Sequence, residues 1–123
     1  MAQRERNSIR IKRVYDAPSA QDGRRILVDR LWPRGLTRSE ASIDLWARDL
    51  APSAALRKWY AHDPSRWEAF QARYSDELSA KDTRARLAAL AALAAHHPIT
   101  LLYAAKDRCR NNAVVLYRVL TGT

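Results

Sequence analysis

The 123-residue sequence has one cysteine (Cys109), one phenylalanine, one methionine and only three glycines. A single cysteine excludes an internal disulfide and a thiolate metal cluster. Gly-rich phosphate loops are missing: there is no G-x-G-x-x-G, P-loop, G-x-S-x-G elbow or kinase motif set. The three histidines, His62, His96 and His97, form neither H-E-x-x-H nor a facial triad, so neither a metal nor a cofactor is expected. Long hydrophobic runs are also missing. The longest uncharged stretch, residues 87–105, is Ala-rich and interrupted by His96, His97 and Pro98. It does not read as a membrane span, and the polar residues after Met1 do not read as a secretory signal. The expectation is a cytoplasmic protein with no membrane partner.

What is present suits one ordinary globular domain. Apolar types make up 47% and charged types 28% of the chain, and four Trp, five Tyr and one Phe need burial. The length matches a single core. A loose polar arm is expected over residues 1–8 and a single domain over residues 9–121. Lys and Arg number 22 against 13 acids, a formal charge of +9. The excess lies in the N-terminal third and in the C-terminal segment; the middle helices are near neutral. Such a charge attracts polyanions and phosphorylated ligands. An Arg-rich compositional bias gives the same arithmetic.

Periodicity sets the expected elements. Ile9 and Ile11 alternate with Arg10, Lys12 and Arg13 as a first strand, and Ile26-Leu27-Val28 reads as a buried second strand. Pro33-Arg34-Gly35 is a turn. Residues 36–52 do not declare themselves: Thr37 or Ser39 can cap a short helix, and Ile43 to Leu50 reads equally as strand or packed arm. Ser53 caps a helix carrying Leu56, Trp59 and Tyr60. Asp63 and Pro64 open another, with Trp67, Phe70, Tyr74 and Leu78 on one face. An Ala-rich helix starts at Asp82 or Thr83 and stops at His96-His97-Pro98. Residues 99–105 form a further strand. Asn111 or Asn112 caps the last helix, with Val115, Leu116, Val119 and Leu120 inward. The fold class is therefore α/β: a small, three- or four-stranded, mainly parallel sheet with helices on both faces. A layer this small gains stability by pairing, which makes a homodimer a candidate assembly.

Ligands of open parallel sheets gather beyond the carboxyl ends of the strands. The strand at 26–28 delivers Asp29, Arg30 and, after the turn, Arg34. The strand at 99–105 delivers Tyr103, Lys106, Asp107, Asn111 and Asn112. Asp29 and Asp107 are candidate catalytic carboxylates. Arg30, Arg34, Lys106, Asn111 and Asn112 are candidate anion-binding residues, aided by the start of the last helix. Trp32 and Tyr103 are candidate stacking surfaces. The structural alternative is that Asp29 and Arg30 tie the adjoining turn, Asp29 accepting backbone donors, and that Lys106 and Asp107 form a solvated pair. Cys109 has cationic neighbours, but Val115 stands where a Cys-x5-Arg phosphate loop needs arginine.

The ordered blocks Ile11-Lys12-Arg13-Val14-Tyr15-Asp16, Val28-Asp29-Arg30-Leu31-Trp32-Pro33-Arg34-Gly35, Leu50-Ala51-Pro52-Ser53, Leu56-Arg57-Lys58 and Leu101-Leu102-Tyr103-Ala104-Ala105-Lys106 resemble the YeaO-like branch of the domain-of-unknown-function family numbered 488. The resemblance covers residues 9–121 and implies a compact α/β domain. It brings no established activity. The broader family often carries a Cys-His-Arg-like group in its C-terminal loop. Here Cys109-Arg110-Asn111-Asn112 lacks the histidine, so no nucleophilic role passes to Cys109.

Two functional expectations remain. One is binding, or chemistry, on an anionic or phosphate-bearing small molecule at the two strand ends. The other is a nucleic-acid or protein interaction module without catalysis, motivated by the net charge and by the strand face of Arg10, Lys12 and Arg13.

Overall fold

The computed structural model describes residues 9–123; the polar arm expected over residues 1–8 lies outside the described residues. Four strands, β1 (Ile9–Arg13), β2 (Arg24–Leu27), β3 (Leu45–Trp46) and β4 (Ile99–Tyr103), make one sheet in the order β1-β4-β2-β3. All three strand pairings are parallel. The last strand in the chain is thus a central one. Its sequence ITLLY explains the place: every residue is buried, as a parallel strand covered on both faces requires.

Five helices follow the expected signals: α1 (Arg38–Ala41), α2 (Ala54–Tyr60), α3 (Trp67–Leu78), α4 (Lys81–His96) and α5 (Asn112–Thr121). Thr37 and Glu40 close α1 with a reciprocal capping box. Ser53 accepts the Leu56 N–H ahead of α2, and Asn111 accepts the Val114 N–H ahead of α5. Asp63 and Pro64 open one 3-10 turn that runs into α3. Helix α4 begins at Lys81, before the expected start, with Ala80 at the cap position and no side-chain cap. The undecided segment 36–52 resolves into α1, the two-residue β3 and a 3-10 turn at Arg48–Leu50. Pairing beside β3 is wider than the strand itself, since the N–H of Asp44 and of Ala47 donate to Arg25 and Leu27 carbonyls, each at 2.8 Å.

The two sheet faces are covered unequally. Ile9, Ile26, Val28, Ile99, Leu101 and Tyr103 pack under α2 to α5, against Leu56, Tyr60, Phe70, Tyr74, Leu90 and Leu116. On the other face Val14, Leu27 and Leu102 meet Ala41 of α1, with Trp32, Leu36, Ile43 and Trp46 against them. That face has one short helix and is otherwise closed by connecting arms.

Strand β2 starts at Arg24, two residues before the expected apolar run, because Arg25 is held by charge instead of by apolar contact. Its guanidinium meets Asp22 at 2.5 Å and the Ala41 carbonyl at 2.9 Å, with both charged side chains almost fully buried. Lys12 of β1 adds a second cation to Asp22 at 3.0 Å. Thr100 of β4 donates to the Asp22 carbonyl at 2.7 Å. Burial pushes the Asp22 carboxyl upward, but the Ser19 N–H and the Lys12 and Arg25 cations outweigh it and hold it below the ordinary value. This cluster joins β1, β2, β4 and α1.

Candidate functional site

The chain leaves the carboxyl ends of β2 and β4 in opposite directions. After β2 it runs to the face of Trp32, Leu36 and Ala41; after β4 it runs to the face of α5. Neighbouring parallel strands whose connections part to opposite faces form a topological switch point, the place where open α/β sheets bind ligands. Both strand ends singled out in the sequence lie here.

Asp29 occupies the gap between them. Its Oδ2 accepts the Ala104 N–H at 2.9 Å and its Oδ1 accepts the Asn112 amide at 3.0 Å. The same amide donates to the Val28 carbonyl at 2.8 Å, so both Asn112 amide protons are used. From the opposite face the Trp46 indole donates to the Asp29 carbonyl at 2.7 Å. The β4 run expected to reach residue 105 ends at Tyr103 for this reason: the next N–H is given to Asp29. Burial raises the Asp29 carboxyl above its ordinary value, against the opposing pull of Asn112, the Ala104 N–H, His62 and Arg57.

The loop after β4 is organised by its own side chains. Asp107 Oδ1 accepts the N–H groups of Cys109 and Arg110 at 2.9 and 3.0 Å, and Oδ2 meets Arg110 at 3.2 Å. These bonds, the Cys109 N–H foremost, hold the Asp107 carboxyl low. Asp107 thus pairs with Arg110 instead of Lys106. Asn111 is buried, caps α5 and donates to the Asp107 carbonyl at 3.0 Å. Tyr60 of α2 donates to the Arg110 carbonyl at 3.3 Å, which ties the loop to α2. Cys109 is exposed.

The remaining expected residues divide. Arg30 anchors through Nε on the Pro52 carbonyl at 3.0 Å. Lys106 is exposed in the β4–α5 loop. Arg34 is exposed on its turn, whose Arg34 carbonyl accepts the Tyr15 hydroxyl at 2.8 Å. Asp29 and Asn112 are therefore in direct contact, Asp107 and Asn111 shape the adjoining loop, and Arg34 stands on the β1 side. The two aromatics do not offer open ring faces as expected. Tyr103 is 2% exposed within the main core. Trp32 packs edge-on against Trp46, centroids 5.5 Å apart, and its indole donates to the Leu36 carbonyl at 2.7 Å. Their apolar area is more useful in the cores than at the rim.

Sequence reasoning missed Arg57 as a neighbour of Asp29 and weighed His62 only for metal. Both act on the Asp29 charge. Arg57 lies in the last turn of α2 and His62 just after its left-handed end at Ala61, so their approach depends on how α2 docks. No local spacing carries that information. The basic face of β1 is mostly used internally: Lys12 meets Asp22, and Arg13 donates to the Ala104 and Ala105 carbonyls at 3.1 and 3.0 Å.

A surface depression of about 350 Å³ lies elsewhere, lined by Ser75, Leu78, Ser79, Arg84, Leu87 and Val119. It offers one cation and no carboxylate, whereas the switch point gathers groups of both signs. No helix among the described residues is long and apolar enough to cross a membrane.

Comparison with known proteins places this sequence in a family. The family model described as "Inactive DUF488-N3 subclade" matches residues 8–123. The chain belongs to this DUF488 subclade. The uncharacterized protein YeaO of Escherichia coli K12 is 40% identical over 109 residues, covering 89% of this chain and 93% of YeaO. The uncharacterized protein Rv3073c of Mycobacterium tuberculosis is 39% identical over 114 residues, covering 93% and 94% of the two chains. No solved structure matches. The DUF488 assignment agrees with the YeaO-like blocks read from the sequence.

Proposed function

We propose that this DUF488 domain binds an anionic or phosphate-bearing small molecule at the β2/β4 switch point and does not transform it. The observation that carries the reading is the cationic surround of that point. Arg30 is fixed through Nε alone, so its terminal nitrogens have no protein partner among the described residues, and Arg57 and His62 both pull the Asp29 carboxyl down against its burial. Lys106 adds an exposed cation to the adjoining loop, and Arg34 another on the β1 side, neither with an ion-pair partner among the described residues. Guanidinium groups with free terminal nitrogens match oxyanions by a fork of donors.

Binding is favoured over catalysis by where the two carboxyls point. A general base needs an acceptor aimed at substrate. Asp107 spends both oxygens on its own loop, and Asp29 spends both on Ala104 and Asn112. The word "inactive" in the subclade description points the same way. The nucleic-acid alternative loses most of its motivating surface, since of Arg10, Lys12 and Arg13 only Arg10 is exposed.

Titration calorimetry with inorganic phosphate at low ionic strength tests the reading. Arg30→Ala and Arg57→Ala should each weaken binding about tenfold, roughly 1.4 kcal/mol for a lost charge-assisted contact. Arg118→Ala, on α5 beside Gln71, should leave it unchanged. Equal affinity in all four proteins overturns the assignment.

A further inference from the structure

We propose that the Asp29 carboxylate is a built-in anion that competes with the external ligand, so that neutralising it strengthens binding at the switch point. The inference rests on the reading above, that the switch point takes an anion. Two donors point into the switch point from the β4 side, the Ala104 N–H and the Asn112 amide, and Asp29 accepts both, at 2.9 and 3.0 Å. An incoming oxyanion has to approach a site that already holds a negative charge at its centre. Like charges at short range in a half-buried setting repel strongly. Trp46 prevents simple withdrawal of the segment, because its indole fixes the Asp29 carbonyl from the other face at 2.7 Å. The charge of Asp29 therefore tunes affinity: a strongly anionic group binds more tightly when the carboxyl is neutral or displaced.

The groups that interact electrostatically or by hydrogen bond with Asp29 come from several elements. Arg57 belongs to α2 and His62 to the turn after it, Tyr74 to α3, and Asn112 to α5. Tyr74 is buried and stays neutral, and arginine keeps its charge throughout. Histidine as a residue type changes charge between about pH 5 and 8, so His62 has to be controlled for.

Sulfate is a suitable probe, because its charge is constant over that range. Calorimetric titration of the full chain with sulfate, as wild type, Asp29→Asn and His62→Gln, decides the matter. Asp29→Asn should bind about tenfold more tightly at neutral pH. Wild type and His62→Gln should both tighten on acidification towards the ordinary carboxyl value of 3.8, above which Asp29 is raised, and Asp29→Asn should gain less. If Asp29→Asn does not give a folded circular-dichroism spectrum, the acid series of wild type and His62→Gln decides alone, and affinity that does not rise in His62→Gln overturns the inference. If wild type binds sulfate and folded Asp29→Asn binds it equally or more weakly, the inference fails while the anion-binding reading stands. If none of the three binds sulfate at any pH, both fail.

Discussion

A Cβ at Gly23 would stand 2.1 Å from the Pro98 carbonyl oxygen, the atom that also accepts the Arg24 N–H at 2.9 Å. The contact joins the starts of β2 and β4, at the opposite end of the sheet from the switch point. Gly23 also has a φ of 63°, in the region glycine tolerates best. Gly23→Ala must move a backbone carbonyl and carry backbone strain. It should lower stability by about 2–3 kcal/mol in urea unfolding, with the affinity of the residual folded protein for phosphate unchanged.

The buried Asp22 and the half-buried Asp29 should give opposite pH slopes. Asp22 is held below its ordinary value of 3.8, so its stabilising contribution is complete above that pH and is lost as pH falls through the lower folded value. Asp22→Asn leaves Arg25 buried without its counter-charge and should cost about 3–5 kcal/mol near neutrality, a difference that shrinks on acidification below about pH 4. Asp29 is raised, so the stability associated with its protonated form is present below 3.8 and is lost as pH rises through the higher folded value. Wild type should therefore lose ground to Asp29→Asn as pH rises. Urea unfolding of the three proteins across acid and neutral pH checks both signs.

Tyr74 is fully buried and donates its hydroxyl to the Leu50 carbonyl. Tyr74→Phe keeps the ring in the Tyr60–Phe70 aromatic cluster but leaves that carbonyl without its donor. The expected loss is about 1–3 kcal/mol by denaturant unfolding. A change below about 0.5 kcal/mol would show that water replaces the donor.

Cys109 should be dispensable. It is exposed, and its backbone N–H, not its thiol, is what the loop uses. Cys109→Ser should shift stability by less than about 0.5 kcal/mol and leave phosphate affinity unchanged. A tenfold loss of affinity would assign the thiol a role that the loop geometry does not give it.

The sequence shows the fold where local signals agree with packing. The uninterrupted apolar run of β4, the caps at Thr37, Ser53, Asp63 and Asn111, and the aromatic stripe of α3 all carry their own physical reason. It is silent where structure depends on distant partners. Arg25 stands outside the apolar run at 26–28 and gains its buried place only when Asp22 and the Ala41 carbonyl are brought to it. Residues 36–52 have no period of their own because they close a sheet face as an arm. The switch point was legible as two strand ends, and the contact between Asp29 and Asn112 joins residues 83 positions apart. Arg57 and His62 come from α2 and the turn after it, whose docking no spacing encodes.

The central claim, an anion at the β2/β4 switch point, is tested most directly by anomalous diffraction from crystals grown with selenate, a heavy analogue of sulfate. The account predicts a selenium peak between Arg30, Arg57 and the start of α5, strengthened in Asp29→Asn. A switch point without selenium in both proteins, with peaks only along the exposed Arg10 face, would contradict it.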